Sequence, residues 1–127
     1  MQRPPVGAGN PVSYTHLLPY SPIVSVGNLL FVSGQASVDK NGQIVADTFE
    51  GEFRRSVENL KKVLEAAGSD LKHVVQTRNY VRDPANVPRF NALYREYFSA
   101  PFPARTTITN CLPDTLQFEI ECVAVTA

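Results

Sequence analysis

The sequence predicts an α+β domain with two helices on one side of a sheet, and three observations lead there. Short β-type runs bounded by turn residues open the chain. Two segments with apolar residues three and four apart follow, separated by an alternating strand, and the final third alternates again. Strands, then helix, strand, helix and two more strands make an α+β layer fold, whose sheet face away from the helices must meet water or another subunit.

Residues 1–13 are rich in Pro, Gly and Asn and lack periodicity, which predicts a loose tail ahead of a single domain over 14–127. Strands are expected at 14–18, Ile23–Val26 and 29–33, with Gly27-Asn28 as the hairpin turn between the last two. Asp39-Lys40-Asn41-Gly42 reads as a second turn, leading into a short strand at 43–45. Phe49, Phe53, Val57, Leu60, Leu64 and Ala67 then share one face of a helix. Asp47 with Glu50 resembles a capping box at its start, and Gly68 suits its end. Arg54, Arg55, Glu58, Lys61, Lys62 and Glu65 make its solvated face.

Val74–Val81 alternates as a strand. A second helix begins near Asn86, tolerating Pro88 in its first turn, with Phe90, Leu93, Tyr94, Tyr97 and Phe98 as its apolar stripe. Pro101 and Pro103 are expected to end it. Strands follow at 105–109 and 116–124, the latter with Leu116, Phe118, Ile120, Cys122 and Ala124 on one face. Tyr14 and Tyr80 are candidates for the sheet's open face.

Composition narrows the function classes. Of the 127 residues 43% are apolar, enough for one core that buries roughly 65–70% of the extended chain's surface. Twelve Lys+Arg balance twelve Asp+Glu, which disfavours acidic disorder, a basic nucleic-acid arm and a polybasic membrane patch. The longest aliphatic/aromatic run is Leu29-Leu30-Phe31-Val32, far short of the ~20 residues of a membrane helix. No apolar stretch follows Met1-Gln2-Arg3-Pro4-Pro5, so no secretory leader is expected. Two cysteines, Cys111 and Cys122, and two isolated histidines, His16 and His73, imply neither a disulfide framework nor a metal site. A soluble protein of a reducing, cytoplasm-like compartment fits, with an organellar location left open.

No GxSxG, GxxxxGK[ST], HExxH or CxxC motif occurs. What remains is a set of polar residues in turns and at strand ends. Arg105 follows the rigid Pro103-Ala104 turn, which suits bidentate capture of a planar carboxylate or, equally, a structural ion pair. Gln117, Glu119 and Glu121 project together from the last strand, so either glutamate acts as a base or decorates the surface. Ser33-Gly34-Gln35 ends the hairpin strand, where the glycine admits a ligand close to the backbone or only permits a bulge. Tyr20 and Asn91 complete the set, each with a packing or surface role as the alternative.

Several segments, taken in order along the chain, carry a resemblance. They are Pro19-Tyr20-Ser21, Val26-Gly27-Asn28-Leu29 running into Phe31-Val32-Ser33-Gly34-Gln35, Glu58-Asn59-Leu60 and Glu65-Ala66-Ala67-Gly68. Phe90-Asn91-Ala92-Leu93-Tyr94, Pro103-Ala104-Arg105 and Phe118-Glu119-Ile120-Glu121 follow. Each is weak alone. Together, over residues 14–126, they resemble the RidA/YjgF family of enamine/imine deaminases, also called the endoribonuclease L-PSP family. The resemblance implies a chorismate-mutase-like α+β fold, a mixed sheet with two helices packed on one face. It also implies a homotrimer with sites in the clefts between subunits.

The activity it implies is hydrolysis of small 2-aminoacrylate-type enamines or imines to a 2-oxo acid and ammonia, without metal or organic cofactor. By position, Arg105 would clamp the substrate carboxylate and Glu119 would orient or activate the attacking water. Tyr20, Ser33, Gly34 and Asn91 would line the pocket, with Thr107 beside the carboxylate. The chain departs from the family pattern at Leu18, where Gly is usual, at Pro22, and at Thr106-Thr107, where a Ser-Cys or Ser-Thr pair is commoner. Two other readings share the fold: a non-catalytic binder of small 2-oxo acids, and an RNA-acting protein, since some relatives are described as translation inhibitors or endoribonucleases. Zero net charge and the lack of a basic stripe argue against the last.

Overall fold

A computed structural model describes residues 19–127. The first predicted strand, 14–18, together with Tyr14, His16 and the tail, lies outside the described residues. A five-stranded sheet carries two helices. Its strands are β1 (Ile23–Val26), β2 (Leu29–Ala36), β3 (Val74–Val81), β4 (Ala104–Thr109) and β5 (Phe118–Val125), in the order β1-β2-β5-β3-β4. All neighbours run antiparallel except β3 and β4, which are parallel. That parallel pair needs a crossover, and the second helix, α2 (Val87–Tyr97), is in it. The first helix, α1 (Phe49–Ala66), spans from β2 to β3.

Both helices cover one face. Phe118, Ile120, Cys122 and Ala124 of β5 meet Phe53, Val57, Leu60 and Leu64 of α1 and Phe90 and Leu93 of α2, all buried. Phe118 is the hub, its ring 4.9 Å from Phe53, 5.7 Å from Phe90 and 6.1 Å from Phe49. Glu52 is an acid inside this layer, only 2% exposed. Its carboxylate accepts from the backbone N–H of Gln117 (2.9 Å) and of Asp47 (3.2 Å), which ties the start of α1 to the approach to β5.

Three local expectations are corrected. The α1 N-cap is Thr48, whose hydroxyl accepts from Gly51 N–H at 3.1 Å, and Glu52 rather than Glu50 reaches back to the preceding turn. Glu50 is instead drawn to Arg54 and Arg89. Residues 43–45 form no strand, only a bridge between Val38 and Ile44, because Asp39 Oδ1 accepts from both Asn41 and Gln43 N–H and closes the loop tightly. The last strand begins at Phe118, two residues later than expected. Gly68 does stop α1, at φ +78°, a backbone state that side chains disfavour. No helix among the described residues is long and apolar enough to cross a membrane.

Candidate functional site

Arg105 sits second in β4, the edge strand, paired in register with Thr77 of β3. Residues paired across parallel strands share a face, and Thr77 is buried under the helices. Arg105 therefore points to the helix-covered side, where its guanidinium lies 4.9 Å from the Phe90 ring centroid and 5.0 Å from that of Tyr94. Tyr94 is itself held. Its hydroxyl is 2.7 Å from Thr77 Oγ1, and its ring stacks on Phe98 at 4.5 Å. Burial pushes the Tyr94 phenol above its usual pKa, so it stays neutral beneath the cation.

Asn91, Tyr94, Arg95, Phe102, Pro103 and Arg105 line a cavity of about 290 Å³ at this rim. That is near the lower end of small-ligand sites. Asn91 Oδ1 is buried there without a partner. Thr107, two residues beyond Arg105 and on the same face, pairs in register with Asn79; Thr107 Oγ1 and Asn79 Oδ1 also lack partners. Buried polar atoms are ordinarily bonded, so these three oxygens are exceptions among the described residues.

Glu119 lies elsewhere. It pairs with Tyr80 of β3 and Ala36 of β2, and it projects from the open face, since its strand neighbours Phe118 and Ile120 are buried beneath the helices. Gly34 faces it. A Cβ built on Gly34 would come within 2.4 Å of Glu119 Oε2, so this position accepts only glycine while the carboxylate keeps its place. The same segment carries the register shift between Val32 and Gln35, the irregularity that the bulge reading of Gly34 expects.

The two glutamates differ. Glu121 accepts a 2.5 Å hydrogen bond from the Tyr80 hydroxyl and stands 3.8 Å from Arg78. No described residue hydrogen-bonds Glu119. Burial holds its carboxyl above the usual carboxylate range, and the Glu121 charge adds to that. Ser33 Oγ donates to Ser21 O at 2.6 Å and Ser33 N–H to Pro22 O at 3.0 Å, fastening the Pro19-Tyr20-Ser21-Pro22 loop to β2. Tyr20 is 45% exposed.

One chain thus gathers Arg105, Asn91 and Thr107 on the covered side of the β4 rim, and Glu119 and Gly34 on the open face. It does not bring the two groups together. Sequence reasoning missed Arg95 and Phe102, and it read Phe90 and Tyr94 only as core. The signal for Tyr94 and Arg95 was their spacing, three and four residues after Asn91 on one helix. Among the described residues no three His, Cys, Asp or Glu side chains gather as a metal-holding group.

The family profile described as Endoribonuclease L-PSP matches residues 13–126. The chain belongs to the RidA/YjgF family. It is 44% identical over 108 residues to a RutC family protein of Saccharolobus solfataricus, covering 84% of this chain and 86% of that one. It is 36% identical over 111 residues to the 2-iminobutanoate/2-iminopropanoate deaminase of Salmonella typhimurium, covering 84% and 87%. The crystal structure of the YjgF gene product from E. coli superposes with a TM-score of 0.82 at 32% identity, covering 98% of this chain and 100% of that one. The α+β fold implied by the resemblance is the family's fold, and deaminases are among its named members.

Proposed function

We propose that the protein hydrolyses small 2-imino acids and their enamine tautomers, such as 2-aminoacrylate, to 2-oxo acids and ammonia. The sites form between subunits of a homotrimer. The observation that carries this reading is Arg105: a guanidinium fixed over two aromatic rings at a small cavity, with no acidic partner among the described residues. Such a group is pre-set to take a planar carboxylate through two parallel hydrogen bonds.

The split between Arg105 and Glu119 supports the assembly. If the open face of one subunit meets the β4 rim of the next, the neighbour's Glu119 is brought to the cavity, and a head-to-tail contact of this kind closes into a ring. Val26, Leu29 and Phe31 leave an apolar patch on that open face.

In the reaction, 2-aminoacrylate takes a proton from solvent at its methylene carbon and becomes the iminium ion. Arg105 holds the carboxylate, and Asn91 Oδ1 accepts from the iminium N–H. Ionised Glu119 takes a proton from water as the water oxygen bonds to C2. The protonated carboxyl then returns the proton to nitrogen. The C–N bond breaks, ammonia leaves, and the remaining hydroxyl loses its proton as the carbonyl forms. A carboxyl with a raised pKa suits both steps, because it is a stronger base when ionised and keeps its proton long enough to deliver it.

The test is ammonia release from a panel of imino acids generated in situ by an amino-acid oxidase, with 2-aminoacrylate included. Accelerated release supports the reading. Binding of 2-oxo acids with no acceleration of any imine overturns the catalytic part.

A further inference from the structure

Seven arginines lie within residues 19–127. Four pair with acids: Arg54 with Glu50 and Glu96, Arg55 with Asp47, Arg78 with Glu121, and Arg89 with Glu50. Arg82 donates to the Asp114 and Leu116 carbonyls. The remaining two, Arg95 and Arg105, have no acidic partner, and both line the same cavity. Among the described residues Arg95 donates only to Asn91 O, at 3.5 Å, a marginal contact. Residues 1–18 contain no Asp or Glu, so no carboxylate elsewhere in the chain neutralises either guanidinium.

Two like charges lining one small cavity of the single chain disfavour each other, and an anion relieves that repulsion. A monocarboxylate needs only one of them. The other cavity residues are Asn91, Tyr94, Phe102 and Pro103, so the pocket offers two cations, one amide acceptor and apolar walls. Arg105 comes from the sheet edge and Arg95 from α2, one turn after Asn91, so the cations enter from different elements with the amide beside the second.

The geometry points to a substrate with two carboxylates: the imino form of an acidic amino acid, its α-carboxylate on Arg105 and its distal carboxylate on Arg95. This rests on the proposed deaminase reading for the imino group, while the two-anion preference stands on the pocket alone. Each carboxylate would meet a planar guanidinium fork.

The experiment compares two five-carbon probes, 2-oxoglutarate and 2-oxopentanoate, by calorimetry on the full-length wild-type and Arg95→Gln proteins. Wild type is expected to bind the dicarboxylate about 10-fold more tightly, a preference that shrinks as salt rises and that Arg95→Gln erases. Arg95 is exposed, and circular dichroism checks that the variant folds. In turnover, the imines made in situ from glutamate and norvaline are compared. Arg95→Gln should raise KM for the dicarboxylic imine about 10-fold more than for the monocarboxylic one. Equal binding of the two probes by wild type, or a preference that survives Arg95→Gln, overturns the inference. Ammonia release from both imines without discrimination also overturns it and leaves the deaminase reading standing. Selective binding with no ammonia from either imine supports the two-anion pocket and removes the deaminase reading.

Discussion

The two faces of the sheet are built to different standards of completeness. Over the core of the covered face one chain supplies the packing. Phe118, Ile120, Cys122 and Ala124 alternate inward against both helices, and even the acid Glu52 finds its hydrogen bonds within the chain. Cys122 shows how dry this layer is, for burial pushes its thiol up to about 12. On the open face Val26 and Phe31 are each 44% exposed, and Glu119 has no described hydrogen-bond partner although burial raises its pKa. Among the described residues, the covered side is left incomplete near its β4 edge, where Arg105, Arg95 and Asn91 line one cavity and Thr107 and Asn79, paired across β4 and β3, keep unbonded oxygens. Stability and chemistry are thus separated in space. What the single chain finishes holds the fold, and what it leaves unfinished is where the proposed ligand and neighbour would sit.

The largest expected effect tests the finished side. Phe118→Ala removes the ring at the centre of the aromatic cluster and should lower stability by about 3–5 kcal/mol, read from the urea midpoint. Phe31→Asp, on the open face, should leave helix content unchanged in circular dichroism and split the trimer in native mass spectrometry. A wild-type monomer at micromolar concentration would break the comparison outright.

Next comes Arg105→Ala. It should remove about 2–4 kcal/mol of substrate interaction, roughly 30- to 1,000-fold in kcat/KM, with the fold retained. Arg105→Lys should also be poor, because an ammonium lacks the planar fork. If sites combine two subunits, unfolding and refolding a mixture of Arg105→Ala and Glu119→Gln chains should restore about a quarter of wild-type activity, as random assembly into rings requires. No recovery would place both residues in one subunit's site.

Glu119→Gln should keep binding and lose about 10²-fold in kcat, and Glu121→Gln should lose much less. The structure gives the reason for the asymmetry: Glu121 is occupied by Tyr80 and Arg78, and the Glu119 carboxylate has no hydrogen-bond partner among the described residues. A larger loss at Glu121 would mean that the base has been assigned to the wrong carboxylate.

The smallest effect sharpens the electrostatics. Folding raises the pKa of Glu119, so the native state binds its proton more tightly than the unfolded chain does. Stability from this group is full below the ordinary carboxylate range and is lost as pH rises through the raised native value. In the Phe31→Asp background, which removes the neighbour's charges, Glu119→Gln should gain stability over Phe31→Asp alone as pH rises through that window. A gap in urea midpoint that is flat with pH would contradict the shift.

Much of this was legible in the residues. The α1 face from Phe49 to Leu64, the Gly68 stop, the Gly27-Asn28 hairpin and the inward side of β5 follow from period and turn chemistry, which are local. The misread features were those in which a local cue had competitors. Asp47 with Glu50 resembled a capping box, but the cap fell to Thr48 and Glu52, and Glu52 also reaches Gln117, 65 residues away in the chain. The segment at 43–45 had strand chemistry, but the Asp39 loop left it too little length to pair beyond one bridge.

The site divides in the same way. By itself the sequence determined the α+β layering, the family and the candidates Arg105 and Glu119, since these rest on short-range pattern and on residues in order along the chain. Only the tertiary structure decided that those two residues leave the sheet on opposite faces. It also decided that Phe90 and Tyr94 cradle a guanidinium, and that Arg95 joins Arg105 at one cavity without an acid beside them. Those facts depend on strand order β5-β3-β4 and on the crossover that lays α2 over the parallel edge, and pairing between residues distant in sequence leaves no period to read.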